Sequence, residues 1–302
     1  MSTFSDTETA VNAIGYWMVL KFISGADLVT VETDLATYTQ QMRSLGKEKY
    51  ASYYSIKRQA ILNLMGKDNT ECPTRLQGNV FTVEAEALLR DDVFHEVSID
   101  SWEGLLLFYF GHHNAHADST IKNGHAYLEK VHFCSPEIWW DTLLRGISCF
   151  EAARHTPKRK YATMGQRLRS KVKKWIARGN PNLSHYEAIL DAEWYASHGK
   201  KTEAIRCYQN AILYSARGGH QPEAAIASER LGAFYLSIGD QEHASYRLSE
   251  AIKYFRSWGA LAVVIDRERR YASTLPALRV EPAAEEQSTI SSLTGGISQQ
   301  FR

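Results

Sequence analysis

Apolar residues along the chain recur at steps of three and four, and strict apolar–polar alternation is scarce. In residues 27–45, Leu28, Val31, Leu35, Tyr38 and Met42 fall on one stripe of a helix, with Asp27 standing where an N-cap carboxylate belongs. A helical stretch over residues 7–24 precedes it and ends at Ser24-Gly25. The segment KYASYYSIKRQAILNLMG follows it and stops at Gly66. Three helices joined by tight turns predict helical hairpins. Residues 67–82, KDNTECPTRLQGNVFT, carry Pro73 and Gly78 without periodicity and read as the longest internal loop. The helical pattern then resumes through EAEALLRD, SWEGLLLFYF, a histidine-rich stretch and a Trp-rich segment opening at Pro136.

Self-comparison sharpens this reading. GKKTEAIRCYQNAILYSARGGH, from Gly199, aligns with GDQEHASYRLSEAIKYFRSWGA, from Gly239. Gly199, Ala204, Ala211, Ile212, Tyr214 and Gly219 match Gly239, Ala244, Ala251, Ile252, Tyr254 and Gly259 at a constant offset. Tyr195 and Tyr235 precede the glycines, with Ala192 and Gly232 three residues earlier. Small residue, aromatic, glycine turn, then spaced alanines is a tetratricopeptide-like pattern, in which small side chains let paired helices approach closely. The offset exceeds the usual period of about 34 residues, which implies longer helices or an extra turn. The predicted fold is therefore all-α, an α-solenoid of antiparallel helix pairs over residues 1–278. Residues 279–302, small, polar and acidic, form a flexible tail.

Composition adds constraints. The 302 residues are 44% hydrophobic and carry a formal net charge of +1, so no global field draws the chain to nucleic acid or anionic lipid. Cys72, Cys134, Cys149 and Cys207 are scattered without CxxC spacing, which suits reduced thiols serving as packing residues. The N-terminal segment lacks the basic start of a secretion signal, and no run approaches the roughly 20 apolar residues of a membrane span. A cytoplasmic location is expected.

The search for chemistry returns few candidates. His112, His113, His116 and His125 crowd around Asp118, and His112 and His116 share i, i+4 spacing. There is no HExxH, and spacing identifies no third ligand, so these histidines are read as turn and helix-surface residues and no metal is expected. Phosphate-loop, dinucleotide, nucleophile-elbow and kinase signatures do not occur, and no cofactor is expected. Residues 158–178 hold nine Lys and Arg without an acid, and Tyr161, Met164, Leu168, Val172 and Trp175 form a helical stripe through them. Lys171, Lys173 and Lys174 are the candidate basic patch. The first helices of the last two repeats present Tyr186, Ile189 and Glu193, and then Ile226, Glu229 and Ala233. These are the candidate partner-binding residues if stacked first helices line a concave surface. The tryptophans lie within helical patterns and read as core.

The segments DLATYTQQMRSLGKEKYASYYSIKRQAILNLMG, RGISCFEAAR, KKWIARGNPNLSHYEAILDAE and ASERLGAFYLSIGDQEHASYRLSEAIKYFRSWGA resemble the tetratricopeptide-like region of large STAND-type AAA ATPase signalling proteins, from about residue 7 to 275. The resemblance implies a helical regulatory arm that works beside an ATPase and output domains such as kinases, GAF and histidine kinase modules, or cyclases. This chain contains neither the ATPase nor an output domain, so none of those activities carries over.

Together these features predict a non-enzymatic scaffold or regulatory arm that binds a protein or peptide partner through its repeat surface. The ATPase or kinase domains of a larger signalling protein are candidate partners. The alternative is an adaptor whose basic helix docks on anionic lipid, a calmodulin-like protein or nucleic acid. A metal-dependent enzyme stands third.

Overall fold

The computed structural model describes residues 3–67, 72–89, 93–123, 136–156 and 159–275. They contain thirteen α-helices and no strand. The expected first three helices are α1 (Thr3–Ile23), α2 (Leu28–Ser44) and α3 (Glu48–Met65). Asp27 caps α2 by accepting from the backbone N–H groups of Val29 and Thr30, at 3.0 and 3.2 Å. These are donors a helix start otherwise leaves unpaired. Leu28, Val31, Leu35 and Met42 are buried as their spacing predicts, and Tyr38 packs at the edge of the core.

Beyond the loop, whose residues 68–71 lie outside the described ones, come α4 (Val83–Ala87), α5 (Val93–Tyr109) and α6 (His113–Asn123). Then follow α7 (Glu137–His155), α8 (Arg159–Ala177), α9 (Ser184–Ser197), α10 (Lys201–Gly218), α11 (Gln221–Ser237), α12 (Gln241–Trp258) and α13 (Leu261–Arg270). Gln59 replaces regular structure in holding the loop. Its side-chain oxygen accepts from Val80 and Phe81, while Asn63 donates to the carbonyls of Pro73 and Arg75.

The sequence repeat is visible as matched hairpins. The helices α10 and α12 have 18 residues each and start 40 positions apart, at Lys201 and Gln241. Ala192, Ala204, Ala211, Ala244 and Ala251 are all buried where paired helices meet. At Gly232 a Cβ would lie 2.7 Å from Leu248 Cγ, so α11 and α12 pack as closely as they do because that position has no side chain.

Consecutive helices pack on one another, as the pattern predicts, but the last described helices also meet the first ones. Helix α13 lies against α3, and Arg270 donates to the carbonyl of Phe110 at 3.0 Å. The aromatic rings explain the closure. Phe22 of α1 stands 5.4 Å from Trp102, 6.5 Å from Trp140 and 5.5 Å from Trp258, ring centre to ring centre. An open stack would leave Phe22 and Trp258 on separate ends in water, each forfeiting the burial of a large aromatic surface. A linear array touching only its neighbours is thus not what these residues build.

Candidate functional site

Helix α8 carries the densest charge in the chain, and its neighbours sort those charges into two faces. Tyr161, Leu168 and Val172 are buried, and Gly165 sits against the ring of Phe150. Toward α9, Arg169 pairs with Asp191 at 2.5 Å and stacks on Trp194, 4.5 Å from its ring centre. Lys173 reaches Asp191 at 3.0 Å and Glu187 at 3.5 Å. On the other face Arg167, Lys171, Lys174 and Arg178 line a groove of about 960 Å³ whose apolar wall includes Phe150, Met164, Trp175 and Trp194. Among the described residues no Asp or Glu lines this groove. Lys171 lies over Trp175, 4.9 Å from the ring centre.

This corrects the basic patch. Lys171 and Lys174 belong to the groove, whereas Lys173 is compensated by α9, and Lys158 lies outside the described residues. The missed members, Arg167 and Arg178, carry a sequence signal: 167, 171, 174 and 178 step by four, three and four, which is one face of a helix. Local charge density pointed to 171, 173 and 174, but helical phase selects the four. Trp175 and Trp194 are half-buried groove walls and not fully core, unlike Trp140 and Trp258.

The six residues read as facing a partner are placed in the interior. Tyr186, Ile189, Glu193 and Ile226 are buried, Glu229 is 9% exposed and Ala233 is half-buried. Neighbouring helices cover the face that was read as open, as the contacts of Tyr186 with Glu223 and of Glu229 with Arg267 show. Glu193 is the centre of an ion network: it meets Arg154 at 2.5 Å and Arg230 at 2.7 Å, and accepts from Tyr208 at 2.8 Å. Arg154 and Arg230 also both reach Glu151. Burial alone would raise Glu193, but Arg154 and Arg230 outweigh it and its pKa is lowered. Glu229 pairs with Arg267 of α13 at 2.5 Å.

The histidine stretch is also more interior than expected. His112 is exposed, His113 half-buried and His116 buried, while His125 lies outside the described residues. The Nδ1 atoms of His113 and His116 share Ser148 Oγ at 3.1 and 3.0 Å. One hydroxyl hydrogen serves only one of them, so at least one of the two rings donates from Nδ1 to the oxygen. Desolvation, with smaller repulsion from neighbouring arginines, lowers His113 to about 3 and His116 well below the usual range. Asp118 is exposed and accepts from Tyr161 at 2.6 Å and Lys160 at 3.0 Å. Of the cysteines, Cys149 is a buried packing residue pushed up to about 12 by desolvation. Cys207 is half-buried, Cys72 is exposed and not a packing residue, and Cys134 lies outside the described residues.

A different cluster brings metal-binding groups together. His185 at the start of α9, His220 in the turn between α10 and α11, and Glu223 in the first turn of α11 offer one ligand atom each, all within 4.8 Å of one another. The two imidazoles stack with ring centres 4.5 Å apart. Spacing could not reveal the set, because His185 lies far from the other two along the chain. Desolvation, helped by His220, lowers His185 to about 3 against a backbone hydrogen bond at Asn182. Desolvation also raises Glu223 to about 7, partly offset by its own backbone N–H and by Tyr186.

No family model, curated protein or solved structure matches the chain. Among the described residues no helix is long and apolar enough to cross a membrane.

Proposed function

We propose that the chain is a tetratricopeptide-like interaction module, without catalytic activity of its own, that captures an acidic segment of a partner protein in the groove along α8. The observation that carries this reading is the groove's lining: four cations in helical phase, aromatic walls and, among the described residues, no carboxylate. Charge complementarity favours an anionic occupant. The apolar walls favour one that also brings side chains to bury. A concave space of about 960 Å³ suits a few residues of a peptide better than a flat bilayer or a duplex. The resemblance to the helical arm of STAND-type signalling ATPases adds the class of partner, an ATPase or kinase domain bearing such a segment.

The test is fluorescence anisotropy with three probes: a labelled Asp/Glu-rich peptide containing an aromatic residue, a single-stranded oligonucleotide, and vesicles of anionic lipid. The peptide is expected to bind most tightly, with affinity falling as salt rises. Lys174→Glu combined with Arg178→Glu is expected to weaken it about tenfold or more, whereas Lys173→Glu, on the compensated face, weakens it less. Tighter binding of the oligonucleotide or vesicles would move the reading to the nucleic-acid or lipid alternative. Absence of peptide binding would overturn it.

A further inference from the structure

The cluster of His185, His220 and Glu223 lies apart from the α8 groove and has no part in the peptide reading. Two of its atoms have unmet bonding capacity: His185 Nε2 and Glu223 Oε2 are buried and have no hydrogen-bond partner. Both residues are more than nine-tenths buried, at 5% and 4% exposure. Burying a polar atom without a partner is costly, so two in one cluster point to something that satisfies both. Two other polar atoms of the cluster are already committed. Tyr186 donates to Glu223 Oε1 at 3.2 Å, and His220 Nδ1 faces the carbonyl of Ile23 at 3.4 Å. A His220 ring that donates from Nδ1 keeps its lone pair on Nε2. Hydrogen bonds of this kind set the tautomer of ligating histidines. Gly218 makes room for the ring, since a Cβ there would lie 2.7 Å from His220 Cδ2.

We infer that His185, His220 and Glu223 form a binding site for a divalent transition ion of the zinc class. Two imidazoles and one carboxylate are a donor set that zinc accepts, and the fourth position is left for water. Both histidines line a cleft of about 680 Å³ between α9 and α10, whose exposed rim at Pro181, Asn182 and Arg217 gives the ion and its water a path from solvent. Tetrahedral zinc, with nitrogen at about 2.0–2.1 Å, sets its ligand atoms about 3.3 Å apart, so atoms that now lie within 4.8 Å of one another close by at most about 1.5 Å, within reach of side-chain rotation. The ligands come from two different hairpins, and the carbonyl of Ile23 behind His220 belongs to the end of α1. A bound ion ties the repeat pair to the N-terminal helices at the seam where the chain closes.

The test uses the full chain stripped with a chelator. Zinc is titrated by calorimetry and cobalt(II) by its visible absorption, whose intensity reports the coordination geometry. The expected result is one saturable equivalent, a tetrahedral cobalt spectrum and a raised Tm on adding zinc. His220→Gln and Glu223→Gln are each expected to weaken uptake about tenfold or more while far-UV circular dichroism stays unchanged. His220 is only half-buried, so its variant keeps the test interpretable if changes at the buried positions impair folding. Absence of a saturable equivalent, or uptake that the folded His220→Gln protein retains in full, would overturn the site.

Discussion

Arg145 of α7 sits in the interior at 1% exposure, where an unpaired guanidinium could not remain. Its Nε donates to both oxygens of Asp141, at 2.9 and 2.8 Å, and its Nη2 to Asp100 at 2.6 Å. Removing one member of such a pair costs more than the pair contributes, because the survivor stays buried. Arg145→Ala is therefore expected to destabilise the fold by about 3–5 kcal/mol in urea unfolding. Adding Asp141→Asn should recover part of that loss. A loss below 1 kcal/mol would show that Asp141 is not stranded. The Glu151–Arg154–Glu193–Arg230 network makes a second prediction, in pH. Burial raises both carboxylates, but the two arginines outweigh it and hold their folded pKa values below the unfolded value of about 4.3. That stability is full above the unfolded value and is lost as pH falls through the folded ones. Urea midpoints should drop between pH 5 and pH 3, and the drop should shrink in Glu193→Gln. These charges show where sequence reading stops. Glu193 and Arg230 are ordinary surface residues by type, and only the position of α7 beside α9 makes them interior.

At the scale of elements, the helices and their boundaries were legible because local chemistry decides them. Asp27 caps α2, and Gly66, Gly219 and Gly259 take left-handed φ angles of 71°, 76° and 92° as the caps that end their helices. The offset repeat was legible for the same reason, since small residues recur wherever paired helices touch. Two glycines separate the demands of conformation and of space. Both Gly25 and Gly199 have positive φ, but a Cβ at Gly199 meets nothing within 4 Å, whereas one at Gly25 would lie 2.8 Å from the carbonyl oxygen of Gly219. Gly199→Ala should cost about 1–2 kcal/mol, the penalty of a left-handed alanine. Gly25→Ala should cost clearly more, because it also pushes α1 away from the repeat. Equal losses on thermal unfolding would mean that the close approach at Gly25 carries no load.

At the scale of the whole molecule, closure was not legible. Each helical stripe says that a face is buried but not what buries it, and nothing local to Phe22 or Trp258 says that the two are neighbours. The same ambiguity put Tyr186, Ile189 and Ile226 on an expected open face, although the fold buries them. The α8 groove was half legible: its charge was plain, while the separation of the face that pairs with α9 from the face that lines the groove depends on Asp191 and Glu187 of α9. Closure predicts that Trp258→Ala loosens α1 as well as α12, seen as faster amide exchange in residues 9–23. An effect confined to the last two helices would indicate independent repeats. The central claim, capture of an acidic segment along α8, is tested most directly by hydrogen exchange of the full chain with and without the Asp/Glu-rich peptide. Protection centred on residues 162–178 and reaching 194–198 is the predicted result. Protection centred elsewhere on a chain that does bind the peptide would contradict the account.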